Sequence, residues 1–175
     1  MQSNLWKALP VLGLAAVIML ACGLPAAAQS ENQNQGLELV GTWRVQVTQV
    51  DCQTGVPLSP TAFPSLLTFA FGGTMAEDTT NPAFGPGQRG AGQGVWRYEG
   101  HRTYRVRSVA FINYTTPPNP AAHNPGFEAG EQTIVQTITF KDDRDAWTSV
   151  ASIEFTDATG AVYRQGCAVA SAQRF

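Results

Sequence analysis

The chain has 175 residues, 11 basic against 13 acidic side chains and a formal net charge of −2. A weakly acidic chain with 14% charged residues and no basic block excludes an electrostatic nucleic-acid binder. The length suits one domain large enough to bury a real core.

Residues 1–28 read as a secretory signal peptide. Lys7 supplies the early positive charge, Val11 to Leu20 the apolar run, and Ala26-x-Ala28 the small residues of a cleavage site. Met19-Leu20-Ala21-Cys22 offers a minor alternative, a lipid-anchored Cys22. No later segment is long and apolar enough to span a membrane. Residues 29–36, rich in Gln and Asn, read as a flexible leader. Residues 37–175 then form a single β-barrel domain.

From residue 37 the dominant period is two. Trp43, Val45 and Val47 share one face of a strand over 42–50, against Arg44, Gln46 and Thr48 on the other. A second strand is expected over 65–71, with Leu67, Phe69 and Phe71 on one face. Gly72-Gly73 then signals a hairpin, and 74–79 returns as a third. The stretch Gly85-Pro86-Gly87-Gln88-Arg89-Gly90 formally matches a dinucleotide fingerprint. That motif needs a strand before it and a helix after it to hold a pyrophosphate. Here it follows Asn81-Pro82 and feeds a strand over 94–99 containing Trp96 and Tyr98, so a mobile loop over a barrel mouth is expected instead. A turn at Gly100-His101 leads to a fifth strand over 103–113. After a Pro-rich loop come strands over 133–140, 146–156 and 162–172, the last two separated by Asp157-Ala158-Thr159-Gly160. Eight short strands with no helical period imply an antiparallel sandwich or barrel.

Cysteine placement favours the barrel. With Cys22 gone, Cys52 and Cys167 allow one intramolecular pairing. An exported chain meets an oxidising compartment, so a disulfide is expected, with two free buried thiols as the alternative. Cys52 ends the first strand and Cys167 lies in the last, side by side if the sheet closes on itself. An eight-stranded up-and-down barrel also leaves no exposed edge.

Gly41-Thr42-Trp43 on the first strand and Arg174 just past the last resemble the lipocalin pattern, in which an arginine from the end of the barrel meets the first-strand tryptophan. The resemblance implies a lipocalin-like calycin barrel whose closed end is sealed by a guanidinium over an indole. A mid-chain Thr-Asp-Tyr, another lipocalin signature, is absent. The chain is also similar to small exported bacterial proteins of unassigned function, through Gly92-Gln93-Gly94-Val95-Trp96 and Gly166-Cys167-Ala168 with Arg174-Phe175.

A catalytic constellation does not assemble from the sequence. His101 sits in a turn and His123 in the loop 117–125, with no metal-ligand spacing. Asp142, Asp143 and Asp145 beside Lys141 and Arg144 read as a solvated turn, Glu77-Asp78 as a strand end, and Glu154 as outward. No metal or cofactor is implied. The apolar remainder suggests an interior that takes a small hydrophobic ligand. Its candidate lining is Trp43, Phe69, Phe71, Trp96, Tyr98, Tyr104, Phe111, Gln136, Ile138, Phe140, Trp147 and Phe155. Gln136 is the polar member, an inward amide that needs a partner. Loops 80–93 and 115–130 would frame the entrance, with the closed end near Trp43. Non-catalytic binding by a monomer or weak dimer is therefore expected. A metal-free isomerase or cyclase using an inward Glu99, Tyr98 or Tyr104 is the second reading, and an envelope module with a filled core the third.

Overall fold

Alternating apolar and polar side chains form eight strands in the computed structural model, which describes residues 36–120, 124–142 and 144–175. They are β1 (Gly41–Val50), β2 (Phe63–Phe69), β3 (Thr74–Thr79), β4 (Gly92–Gly100), β5 (Thr103–Ile112), β6 (Gly130–Phe140), β7 (Ala146–Asp157) and β8 (Val162–Arg174). Each pairs antiparallel with its sequence neighbours, and β1 pairs with β8 to close an up-and-down barrel. The closing register runs from Trp43↔Arg174 to Val50↔Cys167. Cys52 and Cys167 are bonded, their Cα atoms 5.2 Å apart, so the disulfide pins this seam. Such a bond belongs to an oxidising environment. Among the described residues no helix is long and apolar enough to cross a membrane. The expected signal peptide and most of the expected leader lie outside the described residues.

Up-and-down topology puts alternate connections at the same end. The loops 51–62, 80–91, 113–129 and 158–161 share one end, and the short turns 70–73, 101–102 and 141–145 share the other. The two long loops therefore lie at one mouth, opposite Trp43, as the sequence suggests. Two interior assignments need correction. The chain leaves β2 at Ala70, whose N–H donates to the Thr74 carbonyl at 2.8 Å. Phe71 thus falls in the turn and is 68% exposed. On β5 the buried positions are Tyr104, Val106, Ser108, Ala110 and Ile112, so parity turns Phe111 outward at 63% exposed. The β4–β5 turn is also displaced by one residue: His101 and Arg102, at φ 50° and 60°, form its left-handed pair.

The closed end is packed solid. Trp43, Tyr104, Trp147 and Ile138 are fully buried, with Phe69, Phe140 and Val106 among them. Trp43 meets Phe140 edge-on at 5.5 Å and Trp147 at 5.9 Å between ring centres. A 3-10 turn, Leu37–Leu39, caps this end, with Leu39 fully buried and its carbonyl accepting the Trp43 indole N–H at 2.9 Å. Gly36, assigned to the leader on sequence, belongs to the plug. A Cβ there would lie 2.8 Å from Tyr98 Cβ.

Arg174 does more than cover an indole. Its guanidinium carbon sits 4.3 Å from the Trp43 ring centre. Its nitrogens donate to the carbonyls of Val40 (3.0 Å), Glu38 (2.8 Å) and Arg144 (3.2 Å) and to Asp145 Oδ1 (2.8 Å). Gly41, at φ 133°, gives it room, because a Cβ would come within 2.9 Å of Arg174 Nη1. The Gly-x-Trp spacing thus admits the arginine that ties plug, first strand and β6–β7 turn together. Arg174→Ala is expected to lower stability by about 2 kcal/mol, a cation–π contact plus charged hydrogen bonds. Arg174→Lys should recover little, since an ammonium cannot reproduce the fork. Denaturant unfolding checks both variants; an unchanged midpoint would contradict the seal.

Candidate functional site

The inward rows of strands do not fill the barrel evenly. Near the closed end Val45 is 1% and Ile138 0% exposed. Further along, inward Val47, Ile134, Ala151 and Ala170 are only half-buried. Between them lies a cavity of about 60 Å³ that reaches toward the open end. This holds a molecule of a few heavy atoms and falls below the roughly 150 Å³ of an engineered cavity that binds benzene.

The cavity has two kinds of wall. Val45, Val47, Leu67, Ile134, Ile153, Ala168 and Ala170 supply the apolar side. Glu77, Thr79, Arg89, Gln132, Gln136 and Ser149 supply the polar side. Gln136 Nε2 donates to Ser149 Oγ at 2.6 Å, which satisfies the inward amide singled out from the sequence. Arg89 Nη2 pairs with Glu77 Oε1 at 3.1 Å, their side chains only 4% and 11% exposed. Arg89 Nε donates to Gln132 Oε1, and Ser108 Oγ lies 3.4 Å from Glu77 Oε2. The Thr79 hydroxyl is buried without a hydrogen-bond partner.

The glycine-rich stretch delivers Arg89. No helix follows it; it runs into β4. Nor is it loose. Gln88, fully buried, receives the Gly85 N–H at 2.9 Å and donates to Tyr114 O at 3.0 Å and Thr116 Oγ1 at 2.9 Å. Asn113 N–H donates to Gln88 O at 2.8 Å and Gly90 N–H to Phe111 O at 2.9 Å, so backbone pairing pins the loop against the end of β5. The expected mobile loop is therefore a hydrogen-bonded clasp. Gly92 explains the first half of Gly-x-Gly-x-Trp: a Cβ there would stand 2.8 Å from Glu77 Oε2 and 3.5 Å from Arg89 Nη2. A side chain there would push the Glu77 carboxylate aside, so glycine leaves the ion pair its room beside β4.

Of the residues proposed from sequence, Gln136 alone lines this cavity. Trp43, Phe69, Tyr104, Ile138, Phe140 and Trp147 build the packed closed half, with Trp96 and Tyr98 against them. Phe155 joins Phe127 and Ile112 in a second cluster near the mouth, where Phe84 meets Phe127 at 4.4 Å. Phe71 and Phe111 face solvent. Among the candidate ionisable groups, Glu99 is exposed and pairs with Arg97 at 2.9 Å. Burial and, secondarily, the charge of Glu38 push the Tyr104 hydroxyl above the ordinary tyrosine range, so it stays neutral at physiological pH. Glu154 accepts from Gln165 Nε2 at 3.2 Å on the outer face. His101 is exposed in its turn, and His123 and Asp143 lie outside the described residues. Sequence reasoning missed Glu77 and Arg89. The alternation Met75-x-Glu77-x-Thr79 carries the signal for Glu77; nothing local marks Arg89, because a loop places it.

No protein-family model, curated protein or solved structure matches this chain.

Proposed function

We propose that this protein is an exported, lipocalin-like barrel that binds a small, largely apolar molecule in the open half of its interior, without catalysis. One observation carries the reading: a solvent-connected cavity above a sealed core. Barrels of eight strands are just wide enough either to fill with side chains or to hold one small ligand. Small inward residues, Ala151, Ala168 and Ala170, leave space where larger ones would have closed it. The ligand sits against these residues and Ile134 rather than against the tryptophans. The Cys52–Cys167 bond supports a secreted or periplasmic location. A second reading, a metal-free barrel isomerase or cyclase, draws on Glu77, a carboxylate inside the cavity. Its pairing with Arg89 favours a binding role.

Xenon tests the cavity and its accessibility, since the apolar wall offers the kind of contacts by which apolar voids take up xenon. Methyl-resolved NMR should show saturable shifts at Val45, Val47 and Ile134 on titration with xenon, at one site per chain. Ala170→Leu should abolish them while keeping a cooperative unfolding transition. Absence of saturable shifts in the native chain would leave the filled-core module as the better account.

A further inference from the structure

The polar wall restricts what the cavity can accept, and the following rests on the binding reading above. Glu77 and Arg89 form a charge-balanced pair inside the barrel, at 3.1 Å, with both side chains nearly inaccessible. Gln132 occupies Arg89 Nε, and the Gly90 carbonyl takes Arg89 Nη1 at 3.2 Å. A third ion brought beside this pair would be left without a counter-charge where water is scarce, which is strongly unfavourable. One polar group on this wall remains unmatched. Thr79 Oγ1 is buried, has no hydrogen-bond partner and belongs to a residue that lines the cavity. Buried hydroxyls are ordinarily paired, so this one, unpaired within the protein and carried by a residue of the wall, is the group that a ligand's polar atom would draw toward the void and satisfy. Thr79 lies two residues beyond Glu77 on the same face of β3, one step nearer the mouth.

We infer that the site selects a small uncharged molecule bearing a single hydroxyl or carbonyl group, with that group hydrogen-bonded to Thr79 and its short apolar body against Val45, Val47, Ile134 and Ile153. The ion pair acts as a selectivity element. It supplies a fixed dipole beside the polar end of the ligand and excludes carboxylates and ammonium ions of the same size. Gly92 belongs to this device, because any side chain there would displace the Glu77 carboxylate.

Four-carbon probes of matched size test the inference in the full oxidised chain: butan-1-ol, butan-2-one, butyrate and butylammonium, titrated while the methyl signals of Val45, Val47 and Ile134 are followed. The alcohol and the ketone should bind at this site at least tenfold more tightly than either ion. Thr79→Val, which keeps the shape and removes the hydroxyl, should weaken the alcohol and ketone about tenfold relative to xenon; Thr79→Ser should retain the preference. Xenon binding without discrimination among the four probes, or equal alcohol affinity in Thr79→Val, would overturn the inference and leave the binding reading standing. Failure of xenon and of all four probes to bind would overturn both.

Discussion

Loss of the Cys52–Cys167 bond should lower the free energy of unfolding by about 4 to 5 kcal/mol. The bond joins residues 115 apart in sequence, and a cross-link over so long a loop removes much of the conformational freedom of the unfolded chain. Cys167 already faces Val50 across the β1–β8 seam, so the bond reinforces a contact that strand pairing makes by itself. Its removal should therefore leave the barrel topology intact and shift the denaturant midpoint. Paired measurements on the oxidised chain and on a Cys52→Ser/Cys167→Ser variant give the difference directly. Alkylation without reductant should label neither thiol in the native protein. A difference below about 1 kcal/mol would mean that the unfolded chain is already compact enough for the link to cost it little.

The second large effect concerns the ion pair. Arg89→Met should destabilise by about 3 kcal/mol, because it leaves the Glu77 carboxylate buried without its counter-charge. The figure is at the low end for such pairs because Ser108 Oγ, 3.4 Å from Glu77 Oε2, remains as a hydrogen-bond donor to the carboxylate. Glu77→Gln/Arg89→Met should recover most of the loss, since the remaining groups are uncharged and similar in shape. A double-mutant cycle from denaturant unfolding separates the coupling from the two single losses. If the double variant is as unstable as Arg89→Met alone, packing of the Arg89 stem, rather than charge balance, holds the loop in place.

How much of this was legible varies along the chain. Alternation, together with the turn signals between neighbours, places all eight strands, because a sheet with one face in a core must repeat every two residues. Gly41-Thr42-Trp43 and Arg174 announced the closed end, and the two lone cysteines announced the seam. Errors gathered where period two stops. Phe71 continues the pattern of Leu67 and Phe69 on paper, but the backbone has already turned at Ala70. Gly36 reads as the end of a polar tail and becomes part of the plug only because the rings of Tyr98 and Tyr104 converge on it from two strands.

The strands, and through the two cysteines their closure into a barrel, are therefore legible in the sequence, whereas the aromatic side chains expected around a ligand instead fill the closed half. The site belongs to the tertiary structure. Which inward residues pack and which surround a void depends on how side-chain volumes from all eight strands add up at each level of the barrel, and no local pattern encodes that sum. Arg89 has no periodic position to betray it; it enters the interior because Gln88 clasps the loop to the end of β5 and Gly92 leaves the space. Glu77 looks like a solvated strand end until that arginine arrives from twelve residues downstream to balance its charge. A buried charge is tolerable only beside its partner, so the fold that brings the two together is what makes the site.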